Sequence, residues 1–218
     1  MTVSTIASTA EARRPSAQPS SGVEHCETIA GLQAISQPQV QLVIWRRRLT
    51  LCLRRWLDRL DPATLPRLRL LLRPTDCRRE IQPLLDEAGL PAGPMRDLLV
   101  EDIAALAHAF ARIARSDLVD LRLEGIAHDA CWKFHRDCVE ARLLTTYRGL
   151  ATEWVHPSQS QKALNEQQDF QGPIERLSTH DVGLFKGSCA QPGSGIVHRS
   201  PPIAATGKTR LLLCLNLA

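Results

Sequence analysis

The spacing of apolar residues changes near residue 116. From Pro94 onward, Met95, Leu98, Leu99, Ile103, Leu106, Phe110 and Ile113 recur every three or four positions, which is one face of a helix opened by a proline at its first place. After Ser116 the run Leu118-Val119-Asp120-Leu121-Arg122-Leu123-Glu124 alternates, as a half-buried strand does. Beyond it the pattern predicts strands over 130–137, 140–148, about 151–155, 181–186, 195–198 and 208–216. Upstream, VQLVIW (40–45) reads as a strand, and Leu49, Leu53, Trp56, Leu57 and Leu60 share one side of a helix. The stretch PRLRLLLRP fits a short edge strand or a turn of helix, and 77–88 a short helix carrying Pro83. Residues 1–38 are rich in Ser, Thr, Ala, Pro and Gln without apolar period, the pattern of a disordered tail.

Helices followed by a run of strands predict an α+β fold, with N-terminal helices packed on a C-terminal barrel or sandwich. The organisation expected is a tail over 1–38 and one domain over 39–218. Within that domain 39–116 is mainly helical and 117–218 is β-rich. The polar insert 157–179 is expected as a loop at the barrel mouth.

At 218 residues and 44% hydrophobic, the chain is long enough for one sizeable core. Its formal charge of +4 comes from arginine, since Lys133, Lys162, Lys186 and Lys208 are the only lysines. The densest basic stretch, 45–79, suits contact with phosphates or an acidic partner, yet its arginines fall mostly opposite the apolar side of the predicted helix, as on a solvated face. The modest excess disfavours nucleic acid as a partner. No apolar run approaches the roughly 18 residues of a membrane span, and the start has no secretory apolar core, so no membrane association and a cytoplasmic location are expected. Seven cysteines, an odd number spread along the chain, fit free thiols.

The chemistry concentrates late in the chain. In an extended segment His135 and Asp137 point the same way, offering an imidazole and a carboxylate side by side. About sixty residues on stands His198, in a turn-to-strand context, and a dozen further Arg210, in an otherwise leucine-rich strand. Two histidines and one carboxylate on one face of a metal leave the opposite face open, the arrangement of non-haem Fe(II) oxygenases. Without a metal the same residues form a histidine oriented by a carboxylate. Arg210 is the candidate to grip an anionic co-substrate, with Lys186 as rival anchor and Tyr147 as a further contact, unless it pairs with Glu140 or Asp181. A thiolate-rich zinc site from Cys131, His135 and Cys138 with Cys189 or His198 is the competing set, although no CxxC pair is present. The kinase-like HRD lacks its downstream Asn, and TGKT lacks the upstream Gly of a phosphate loop. Glu153 and Trp154 suggest no chemistry.

The order His-x-Asp, His, Arg resembles the 2-oxoglutarate- and Fe(II)-dependent oxygenase superfamily. That resemblance implies a double-stranded β-helix (a cupin-like jelly roll), Fe(II) held by His135, Asp137 and His198, 2-oxoglutarate on Arg210, and oxidation of a small-molecule or protein substrate. The segments CWKFHRDCVEARLLTTYRGLATEWV and LFKGSCAQPGSGIVHRSPP also resemble a bacterial domain-of-unknown-function family with FHxD, TYRGxxTEW and HRSP blocks. This second resemblance implies a functional link to a CobW-like metal-chaperone GTPase. It also implies, as the alternative, a non-catalytic zinc protein of metal homeostasis.

Overall fold

The computed structural model describes residues 22–217. Ten strands and four helices follow in the order β1 (Val23–Cys26), β2 (Leu42–Trp45), α1 (Leu51–Arg59), β3 (Arg67–Leu72), α2 (Cys77–Glu87), α3 (Pro94–Ala114), β4 (Val119–Ile126), β5 (Ala141–Arg148), β6 (Glu153–Trp154), α4 (Ser160–Glu166), β7 (Glu175–Arg176), β8 (Val182–Lys186), β9 (His198–Arg199) and β10 (Arg210–Leu217). Seven strands make one sheet in the order β1-β2-β8-β5-β10-β4-β3, and three make a second, β7-β6-β9. Only β1 and β2 run parallel within the large sheet.

The large sheet is buried on both faces, for two different reasons. Leu211, Leu213 and Leu215 of β10, with Leu121 and Leu123 of β4, meet Leu53 and Leu57 of α1, Ile81 and Leu85 of α2, and Ile103, Leu106 and Phe110 of α3. Thr50 caps α1 by accepting from the Leu53 N–H, and Pro94 starts α3, so the apolar stripes begin in register with that face. The alternate residues Leu212 and Cys214 point the other way, with Leu42, Ile44, Leu144 and Phe185, towards Trp154, Leu177 and Ile196 beside the small sheet. The architecture is thus a mixed α/β fold of helices, large sheet and small sheet.

Several expectations change. Residues 1–21 of the expected tail lie outside the described residues, whereas 22–38 are ordered: β1 pairs with β2, and a 3-10 helix over Ile29–Ser36 buries Leu32 and Ile35. Ile29, Leu32 and Ile35 recur every three residues, the spacing of a 3-10 turn, and three positions are too few to stand out as an amphipathic α-helix. The division at 116 does not separate helix from strand, because β2 and β3 join the same sheet as β4, β5, β8 and β10. The stretch 66–74 forms an edge strand, β3, with Leu71 exposed. No strand forms over 130–137, where one isolated bridge stands instead. The polar insert contains α4 and β7.

Candidate metal centre

Between β4 and β5 the chain leaves the sheet and returns carrying His135 and Asp137. Its only strand-like pairing is at His135, whose N–H donates to the His198 carbonyl and whose carbonyl accepts from the His198 N–H, both at 3.0 Å. A reciprocal pair of this kind sets two side chains on one side of the ladder. The imidazoles accordingly lie with ring centres 4.6 Å apart, and His198 also rests on Phe185 at 4.9 Å. Asp137, two residues on, turns into the same space. Its carbonyl is fixed by the N–H and hydroxyl of Ser188, at 2.8 and 3.0 Å.

The ring nitrogens are already sorted. Nδ1 of His135 lies 2.8 Å from the Lys133 carbonyl, and Nδ1 of His198 lies 3.0 Å from that of Ile196. A carbonyl only accepts, so each Nδ1 carries the proton and each neutral ring presents a bare Nε2 lone pair. Those two Nε2 atoms face Asp137, His135 at 3.6 Å from Oδ1 and His198 at 3.2 Å from Oδ2. Three lone-pair-bearing atoms aimed at one another repel unless a cation lies among them. His135, Asp137 and His198 offer one ligand atom each within 4.8 Å of one another, and they are the only such group of three or more among the described residues. An Nδ1–H held by a backbone carbonyl is also how metal-ligating histidines are oriented.

The surrounding charges agree. Burial pushes the Asp137 carboxyl up, but in metal-free protein His135 and His198, once they take a second proton at Nε2, and the Arg142 guanidinium outweigh it, holding the group well below the usual carboxylate range. The same carboxylate raises His135 above its ordinary 6.5. Beside the triad is a cavity of about 120 Å³, lined by His135, His198 and Arg199 and by apolar Ile126, Leu144 and Leu212.

Arg210 shares that face. It pairs with Ile126 across β4, and alternation along β10 sets it on the side of Leu212 and Cys214, both of which line the cavity. It is only 1% exposed, and none of its three nitrogens has a hydrogen-bond partner. Neither Glu140 nor Asp181 pairs with it. Burial lowers its pKa to about 10 despite the attraction of Glu153. Gly149 makes room for it, since a Cβ there would lie 2.4 Å from the Thr209 carbonyl oxygen and 3.3 Å from the Arg210 Cα.

Other candidates go elsewhere. Tyr147 points to the helical side, where its hydroxyl donates to Asp102 of α3, and a bulge between Leu211 and Leu212 opposite β5 accommodates it. Lys186 donates to the carbonyls of Gln37 at 2.8 Å and Pro38 at 3.4 Å, securing the 3-10 segment instead of facing the cavity. Cys131, Cys138 and Cys189 are exposed free thiols that do not gather round either histidine.

A family model described as "Protein of unknown function (DUF1826)" matches residues 26–216. The chain belongs to that family. No curated protein matches it. Among solved structures it is similar to a Pseudomonas putida prolyl-4-hydroxylase, at 11% identity and a TM-score of 0.44, over 88% of this chain and 100% of that one. It is also similar to a full-length Neurospora crassa protein in complex with alpha-KG, at 9% identity and a TM-score of 0.40, over 88% and 78%.

Three residues of this DUF1826 chain support the site without having signalled it. Arg142 of β5 is ion-paired to Asp137 Oδ1 and donates to Asn216 Oδ1 at 2.7 Å. Gln167, in the polar insert, brackets Phe134: its carbonyl accepts from the Phe134 N–H at 2.9 Å and its amide donates to the Phe134 carbonyl at 3.0 Å. Glu153, buried on β6, pairs with Arg176 of β7 and Arg199 of β9 and ties the small sheet together. An arginine five residues after an aspartate is too common to mark a pair, and the other two depend on distant segments.

Proposed function

We propose that this protein is an Fe(II)- and 2-oxoglutarate-dependent oxygenase, with its two sheets forming a double-stranded β-helix. The observation that carries the reading is the convergence of two bare imidazole Nε2 atoms and one buried carboxylate on a common point. Two histidines and a carboxylate fit Fe(II) with open positions. Arg210 supports the co-substrate, because a buried guanidinium without a partner calls for an anion and matches a carboxylate through two parallel hydrogen bonds.

In this reading His135, Asp137 and His198 hold the metal and Arg210 binds the far carboxylate of 2-oxoglutarate. The Lys133 and Ile196 carbonyls keep both rings turned with Nε2 inward. Arg142 occupies Asp137 Oδ1 and leaves Oδ2 as the free ligand atom. Ile126, Leu144 and Leu212 give the cavity an apolar wall beside its charged lining. Fe(II) bound there would let dioxygen, the oxidant, be spent on two oxidations, of 2-oxoglutarate to succinate and CO2 and of a substrate C–H bond to C–OH, with one oxygen atom going to each.

Zinc held by the same three residues without catalysis is the second reading, and it leaves Arg210 without a role. Anaerobic titration with Fe(II) and then 2-oxoglutarate separates the two. A visible charge-transfer band that needs both additions and weakens in Arg210→Ala is the expected result. Absence of the band, with one-to-one zinc binding indifferent to Arg210→Ala, overturns the oxygenase reading.

A further inference from the structure

A second cavity, of about 710 Å³, opens where β2 runs into α1 and is closed by the turn before β8. It shares no lining residue with the cavity beside the metal centre. Arg46, Arg48 and Arg54 line it with His180, and the acids on its wall are Glu27 and Asp181. Arg46 and Arg48, two apart in extended chain, present their side chains to the same side, while Arg47 between them turns inward to Asp102.

The inward arginine has a counter-ion, and the outward ones do not. The side chains of Arg46, Arg48 and Arg54 make no hydrogen bond or ion pair with the described residues, and the Arg54 Nε is buried without a partner. Asp181 is engaged by the Ser178 N–H at 2.9 Å. The first turn of α1 carries no acid. His180 closes the rim in a left-handed backbone conformation, φ 79°, with its carbonyl fixed by Arg47 Nε at 2.8 Å. Such a conformation is costly for a residue with a Cβ and marks a segment held by its surroundings.

We propose that this groove is a binding site for a small molecule bearing adjacent phosphate groups. Guanidinium groups match phosphate oxygens in paired hydrogen bonds, and three unpaired ones on one wall suit a diphosphate better than a single phosphate. No Phe, Tyr or Trp lines the groove, and its one ring, the His180 imidazole, is a single small platform where proteins that hold a strand use successive large ones.

Calorimetry of the full chain with pyrophosphate, inorganic phosphate and a single-stranded oligonucleotide tests this, using Arg46→Gln/Arg54→Gln against the charge-matched control Arg55→Gln/Arg59→Gln on the outer side of α1. Thermal unfolding of each variant establishes that it is folded. Saturable pyrophosphate binding, tighter than that of phosphate, is expected to weaken at least about tenfold in the groove variant and less than about threefold in the control. Absence of pyrophosphate binding, equal losses in both variants, or unchanged affinity in the groove variant overturns the proposal. Tighter binding of the oligonucleotide than of pyrophosphate overturns it too, in favour of a nucleic-acid surface.

Discussion

Arg142 is ion-paired to one oxygen of the Asp137 carboxylate, and His198 approaches the other. In metal-free protein Arg142 is therefore the main permanent counter-ion of a carboxylate that is almost wholly buried. A metal takes over that role when bound, so the importance of Arg142 depends on occupancy.

Arg142→Met is expected to destabilise the metal-free protein by about 3 kcal/mol, the order found when a buried pair loses one partner. Saturating zinc should restore much of that loss. Urea denaturation with and without zinc measures both, and an equal loss in the two conditions would contradict the assignment.

The pH dependence of stability should differ between the metal-free and the metal-loaded protein. His135 binds its proton more tightly folded than unfolded, so its contribution is complete below 6.5 and is lost as pH rises through the raised value. Asp137 has a lowered value and contributes in the opposite sense, above 3.8, its share being lost as acid reaches the lowered value. Metal needs His135 neutral. Between about pH 6 and 8 the zinc-loaded protein should gain stability relative to the metal-free protein as pH rises; His25 and His180, which burial lowers, contribute to both forms alike and cancel in the comparison. Parallel curves would show that His135 is not a ligand.

Arg210→Met is expected to be stabilising when no anion is present. A drop in the arginine pKa from 12.5 to about 10 corresponds to about 3 kcal/mol against the charged folded form. That penalty applies in full below about 10 and is relieved as pH rises towards 12.5. Thermal unfolding at neutral pH should show the variant more stable than wild type, but without the further stabilisation that 2-oxoglutarate gives wild type in the presence of zinc. A variant stabilised by 2-oxoglutarate to the same extent would remove Arg210 from the site.

The proximity of His135, Asp137 and His198 was legible because local geometry carries that information. A His-x-Asp spacing puts two groups on one side even in a segment that makes a single bridge, and a lone arginine among leucines is conspicuous because charge in such a strand needs an anion. Tyr147 escaped because alternation from Leu143 sets it on the helical face of the sheet, but which face holds the metal residues, and that Asp102 of α3 receives its hydroxyl, depend on distant segments. Lys186 escaped because its partners are carbonyls of a segment expected to be tail. Residues 22–38 were illegible for a related reason, since β1 is stabilised by its pairing with β2 and a four-residue strand carries too little pattern to stand out.

Gly149 tests the seating of Arg210 from the backbone side. At φ 82° and with the Thr209 carbonyl in the way of any Cβ, Gly149→Ala should cost about 1–3 kcal/mol. It should also displace the start of β10, so the 2-oxoglutarate response should fall more than zinc affinity does. Equal effects on the two would mean that the turn serves only the fold.

His135 and His198 are joined by two hydrogen bonds of a single rung, with no ladder extending from His135 on its own side. A clasp of that size can open without disturbing the sheet, and a metal held by the proposed ligands would join the same two residues through their rings. Ion exchange is then a local event, governed by the opening of one rung, and the amide hydrogens of His135 and His198 should exchange with solvent as one pair that slows together when metal binds. An ion bound there would act as a rivet across the clasp, and the site would load and empty while the rest of the molecule stays folded.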